Sequence, residues 1–105
     1  MSRNDVVWSR SALDDLIGIA RYIARDRPKA ALKLALRLRA AGEDLSLFAT
    51  GKAGRMPGVF EKPVSGTTYT IAYAIDRETA DSRRITILRV IHQARDWPEG
   101  GWPKD

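Results

Sequence analysis

No cysteine occurs among the 105 residues, and histidine occurs once, as His92. Without thiolates there is neither a disulfide framework nor a thiolate zinc site, and one imidazole cannot build a multi-histidine metal centre. No metal or other cofactor is expected. Long apolar runs are missing too: each lasts only a few residues before a charged or polar side chain interrupts it, so none suits a bilayer. The opening Met1-Ser2-Arg3-Asn4-Asp5 lacks the apolar core of a signal peptide. The expectation is a cytoplasmic protein that does not touch membranes. A phosphate-cradling glycine loop is also absent, since Gly51-Lys52-Ala53-Gly54-Arg55 has neither the spacing nor the trailing Lys-Ser/Thr, which disfavours nucleotide hydrolysis. No repeat or low-complexity segment is found.

What is present is ordinary globular composition, 44% hydrophobic and 30% charged, in a length that suits one domain over residues 1–105. Eighteen basic residues face 13 acidic ones, a net charge of +5 that favours a polyanionic or acidic partner. Val6-Val7-Trp8 is a β-prone opening, and Ser9 or Ser11 offers a capping hydroxyl to a helix over 9–25. Asp14 and Asp15 are read into its first turn, where negative charge suits the helix dipole. Leu13, Leu16, Ile17, Ala20, Ile23 and Ala24 recur at three- and four-residue spacing as one apolar stripe.

Asp26-Arg27-Pro28 breaks that helix and restarts another over 28–48, because proline lacks an N–H that the first helical turn leaves unpaired anyway. Leu34, Leu38, Ala41, Leu45 and Phe48 form its buried stripe, and Leu32, Leu36, Ala40 and Leu47 make a second apolar row beside it. Two readings follow. Either the helix is sunk between its partner helix and a sheet, or the second row waits for another protein chain. Residues 49–58 read as loop, 59–62 as a short strand ended by Pro63, 67–75 as a strand, 76–84 as a polar hairpin loop, and 85–93 as a final strand. In the 67–75 strand the bulky Tyr69, Ile71, Tyr73 and Ile75 alternate with small or polar residues. The final strand is too apolar for a sheet edge and is placed in the interior.

Arg89 alternates with Ile85, Ile87 and Ile91, whereas His92 alternates with Leu88 and Val90, so the two point to opposite faces unless a bulge intervenes. A lone histidine at a strand end reads first as a hydrogen-bonded structural residue. Arg55, Lys62, Arg83, Arg84, Arg89 and Arg95 fall on or beside the sheet, where the planar guanidinium fork suits recognition of phosphates or carboxylates. Lys29, Lys33 and Arg37 form a stripe on the second helix that reads as a solvated face. Trp97 and Trp102, each beside a proline, read as stacking residues or as a plug over the core.

Specific residues occur in a telling order: Trp8 with Ala12, Asp15 and Leu16; Ile19 with Tyr22-Ile23; Pro28-x-Ala30-Ala31; Gly54-Arg55; Tyr69-x-Ile71-x-Tyr73; and Ile87-Leu88-Arg89-Val90-Ile91-His92-x-Ala94-Arg95-x-Trp97-Pro98. This set resembles the ParE branch of the RelE/ParE toxin superfamily. The resemblance implies an α+β fold, an N-terminal strand and two-helix hairpin packed on a mainly antiparallel sheet. It also implies the toxin half of a type II toxin-antitoxin pair, a hetero-oligomer with a ParD-like antitoxin that reaches DNA only through that antitoxin. An amphipathic acidic antitoxin segment suits both the doubled apolar row (Leu32, Leu36, Ala40 and Leu47) and the positive charge.

Within the superfamily, ParE-like members inhibit DNA gyrase and RelE-like members are ribosome-dependent mRNA endonucleases. The nuclease pattern commonly has arginine after the first tyrosine of Tyr-x-Ile/Leu-x-Tyr and an aromatic hydroxyl beyond the last strand. Thr70 and Trp97 stand at those positions, and neither supplies the phosphate charge neutralisation or proton exchange required. The expectation is a gyrase inhibitor with no catalytic residues, its target contacted by Arg89, His92, Arg95 and Trp97. The alternatives are a ribonuclease using Lys62, Arg89, His92 and Arg95, or a non-toxic member that retains only antitoxin binding.

Overall fold

The computed structural model describes residues 3–49, 51–54, 56–79 and 82–93. Strand β1 (Arg3–Trp8) passes through Ser9 into α1 (Arg10–Ala24). The Ser9 hydroxyl accepts from the Ala12 N–H at 3.0 Å and donates to the Leu88 carbonyl at 3.0 Å, so the helix cap is also a tie to the sheet. The first turn of α1 contains no acidic residue, contrary to expectation, and Asp15 lies a turn further on.

Helix α2 (Pro28–Glu43) opens on Pro28 and ends five residues before the expected boundary of 48. A tighter single turn, Asp44–Ser46, follows and buries Leu45 completely. This change of pitch takes Phe48 off the buried stripe, where the helical spacing had placed it, and leaves it 70% exposed. Close packing at the helix end has its own requirement. A Cβ on Gly42 would sit 2.4 Å from Trp8 Cζ2, so only glycine lets the indole lie against the last turn of α2.

Strands β2 (Lys52–Ala53), β3 (Phe60–Pro63), β4 (Tyr69–Glu78) and β5 (Ser82–His92) complete a sheet of order β1-β5-β4-β3-β2. β5 is interior as its apolarity predicts, parallel to β1 and antiparallel to β4, and the remaining pairings are antiparallel. The expected loop over 76–84 is mostly strand, closed where the Thr79 N–H donates to the Ser82 carbonyl at 2.7 Å. Its polar side chains mimic a loop, but backbone pairing carries the hairpin beyond the core. Pro63 lies within β3 as its final residue, and the two-residue β2 has too short an alternation to be read from sequence.

One face of the sheet carries the core. Ile71, Tyr73, Ile85, Ile87 and Val90 pack with Ala12 of α1, Leu38 of α2 and Leu45, flanked by Val6, Trp8, Leu16, Ile19 and Leu34. The bulky residues of β4 all join this cluster, as their alternation predicts. Among the described residues, no helix is long and apolar enough to cross a membrane.

Candidate functional site

A bulge fixes the chemistry of the β5 end. Tyr73 pairs with Ile87 and Ala72 with Arg89, so Leu88 is one residue too many and the side-chain parity of β5 switches there. Ile85 and Ile87 are buried before the bulge and Val90 after it, which moves His92, not Arg89, onto the row of core residues. Arg89 and His92 still point to opposite sides, because no further bulge separates them.

Beyond Trp8, where β1 gives way to α1, the edge of β5 is met by Asp15. Its Oδ2 accepts from the Val90 N–H at 3.0 Å and from Arg89 Nε at 2.6 Å, and its Oδ1 accepts from Arg89 Nη2 at 2.9 Å. The side chains retain 25% and 17% exposure, so the pair is mostly withdrawn from water. A strand edge that would otherwise carry an orphan N–H is thus closed by a carboxylate already neutralised by a bidentate guanidinium. Sequence reasoning missed this role of Asp15. A signal was available, since Ala12, Asp15 and Ile19 follow the three- and four-residue spacing of a buried face.

The other predicted polar residues lie apart. Lys62 is in register with Ile71, and its ammonium donates to the Ala41 carbonyl in the last turn of α2 at 3.1 Å. His92 is in register with Tyr69 across the other flank of β4, its ring edge-on to the phenol at 5.2 Å between centroids. Arg83 donates to Asn4 Oδ1 at 3.2 Å. Burial pushes the Tyr73 hydroxyl above the ordinary value of 10.0, partly opposed by the Arg83 charge. Thr70 is 8% exposed, a buried hydroxyl where the nuclease pattern has a cation. Arg55, Arg95, Trp97 and Trp102 lie outside the described residues.

The second apolar row of α2 is on the surface. Leu32 and Leu36 are each 62% exposed with Ala40 exposed beside them, whereas Leu47, expected on the same helix, lies past its end and is 73% exposed. This exposure excludes the sunken helix of the first reading and leaves the row uncovered. Phe48 is also exposed past the end of the helix, and Lys29 and Lys33, both exposed, border the row. Apolar anchors with a cationic rim suit an amphipathic helix carrying acidic side chains.

Comparison with known proteins agrees with this architecture. The Y4kP protein of Sinorhizobium fredii is 33% identical over 100 residues, 94% of this chain and 98% of its own. Toxin RelE2 of Caulobacter vibrioides is 35% identical over 91 residues, 86% of this chain and 96% of its own. Among solved structures, the chromosomal ParDE toxin-antitoxin system from P. aeruginosa superposes with a TM-score of 0.75 at 22% identity, covering 84% of this chain and 94% of that one, a likeness of fold. The toxin-antitoxin complex RelBE2 from Mycobacterium tuberculosis gives 0.56 at 27% identity, covering 90% and 97%. The family model of the ParE toxin of type II toxin-antitoxin system, parDE, matches residues 6–97, and by that match the chain belongs to the ParE toxins of the RelE/ParE superfamily.

Proposed function

We propose that this toxin acts by binding rather than hydrolysis, inhibiting DNA gyrase until a ParD-like antitoxin covers its helical hairpin. The observation that carries this reading is that Lys62, Arg89 and His92 sit at three separate contacts rather than converging on one point. Arg89 is held by two bonds on Asp15, and Lys62 is tied to the end of α2. Thr70 is buried where the nuclease pattern has arginine. A ribonuclease needs cations aimed at one phosphate and a group that exchanges a proton beside them. Lys62, Arg89 and His92 instead serve three separate local contacts.

The antitoxin part of the proposal is supported by the exposed row of Leu32, Leu36 and Ala40 with its cationic border. The similar ParDE and RelBE2 structures are both of toxin-antitoxin systems. For the target, Arg89 becomes a positioning residue, and the contact falls to the segment that follows it, His92, Arg95 and Trp97. A second reading, the ribosome-dependent mRNA endonuclease, has the 35% identity to toxin RelE2 in its favour.

The test sets the two activities side by side. Purified toxin should inhibit supercoiling by gyrase, leave ribosome-bound mRNA intact, and lose its effect on adding antitoxin. Arg95→Ala should weaken gyrase inhibition with antitoxin affinity kept. Cleavage of ribosome-bound mRNA with gyrase unaffected would replace this reading by the second.

A further inference from the structure

Between α2 and β3 runs a trough of about 320 Å³ lined by Arg37, Ala40, Ala41, Asp44 and the stretch from Lys62 to Ser65. It is at the small end of the range for ligand sites, about 300–1,000 Å³, and suits one or two side chains better than a cofactor. Both of its cations are fixed in place. Arg37 Nε donates to the Ser65 carbonyl at 2.8 Å, and Lys62 Nζ to the Ala41 carbonyl at 3.1 Å. The Arg37 guanidinium rests on Gly66, where a Cβ would lie 2.9 Å from Nη2 and where φ is +77°. The turn after β3 is therefore shaped as a seat for this arginine, which sequence reading had left in a solvated stripe.

Each bond uses one donor of a group that has several, so guanidinium and ammonium keep N–H groups for a ligand in the trough. Ala41 and the buried Val64 supply apolar lining, Pro63 adds more, and Asp44 adds one negative charge. That chemistry selects among anions. A backbone phosphodiester, singly charged like a carboxylate but flanked by sugars rather than by an aliphatic stem, would leave the apolar lining unfilled. A glutamate side chain brings a single charge for the cations and methylenes for Ala41, Pro63 and Val64. Ala40 belongs both to this trough and to the exposed row of α2, so one chain can occupy the two without a gap. Strand addition is not the means of attachment, because Pro63, at the end of β3, has no N–H to give.

We infer that the α2/β3 trough is a carboxylate-reading extension of the antitoxin interface, in which Arg37 and Lys62 hold a glutamate of the antitoxin segment that continues past the Leu32–Leu36–Ala40 row. The inference rests on the antitoxin reading above, and the experiment separates their fates. The probe is the purified product of the reading frame adjoining the toxin gene, titrated against wild-type toxin and against Arg37→Met, Lys62→Met and Leu36→Glu. Circular dichroism and thermal melting verify that each variant is folded.

Each methionine variant should bind about tenfold more weakly and with a shallower salt dependence, since one charge contact is gone and the stem remains. A glutamine scan of the probe should find one glutamate whose replacement matters in wild-type toxin and little in Lys62→Met. Wild-type affinity and salt dependence in both methionine variants, with binding lost only in Leu36→Glu, would overturn the trough and leave the antitoxin face standing. Unchanged binding by Leu36→Glu, or none by the wild type, would overturn both. Displacement of the probe by a single-stranded oligonucleotide from wild-type toxin but not from Lys62→Met would overturn the choice of carboxylate over phosphate.

Discussion

Asp15 joins three groups that would otherwise be unsatisfied or unneutralised: a strand-edge N–H, a guanidinium and its own carboxylate. Removing one member has unequal effects. Asp15→Ala leaves a largely buried cation unpaired and the Val90 N–H open, and should destabilise the protein by about 2–4 kcal/mol, below the range for fully buried pairs because water still reaches this one. Arg89→Met should cost less, since the carboxylate keeps its bond to Val90 and the stem keeps its packing. Urea denaturation of both variants checks the order, and equal losses would assign the role to the ion pair alone. At Tyr73, burial raises the hydroxyl pKa above 10.0. A raised pKa means that this contribution to stability is complete below pH 10 and is lost as pH rises through the folded-state value, because the unfolded chain releases its proton first. Tyr73→Phe should therefore show a flatter fall in stability above pH 10 than wild type, measured by denaturant titration at each pH.

Two glycines of the helical hairpin predict opposite outcomes at the scale of the element. A Cβ on Gly18 of α1 meets nothing within 4 Å, so Gly18→Ala should gain up to about 1 kcal/mol from helix propensity. Gly42→Ala meets Trp8 at 2.4 Å and Ile87 at 2.8 Å, and should lose about 1–3 kcal/mol by overpacking despite the same propensity gain. Thermal melting of the pair checks both signs. The elements themselves were legible where period and punctuation agreed: the break at Pro28, the interior placement of β5 and the bulky face of β4 all follow from local pattern. What escaped was decided by distant contacts. Helix α2 stops early where Trp8 presses on Gly42 and Leu45 turns into the core. The bulge at Leu88 escaped, because nothing local marks which residue is extra, and the bulge allowed for lay between Arg89 and His92, where the strand is regular. The extra residue puts His92 on the row of Ile85 and Ile87 instead of opposite them, while Arg89 and His92 keep the opposite sides expected of them. Arg37 looked like solvated charge and Lys62 like a recognition residue of the sheet, because their partners, the Ser65 and Ala41 carbonyls, are backbone atoms far along the chain.

For the whole molecule, the balance is between one well-made core and an apolar surface that the isolated chain leaves wet. Leu32, Leu36 and Ala40, one turn apart along α2, present the sort of patch that marks a partner site, and the net charge of +5 opposes its burial against a second copy of the same basic chain. An acidic partner meets no such repulsion. Two consequences can be measured together. A partner that binds only the folded toxin raises its melting temperature in proportion to the logarithm of free partner concentration, about 2.7 kcal/mol of added stability at a hundredfold excess over Kd. Association steered by opposite charge should also slow by about tenfold or more between low and physiological salt, while dissociation, governed by the apolar contacts, changes little. Stopped-flow association across a salt series, with dissociation followed separately, reads both rates. If salt instead accelerates dissociation and leaves association alone, the charges are engaged only in the final complex, and the basic rim of α2 does not guide the approach.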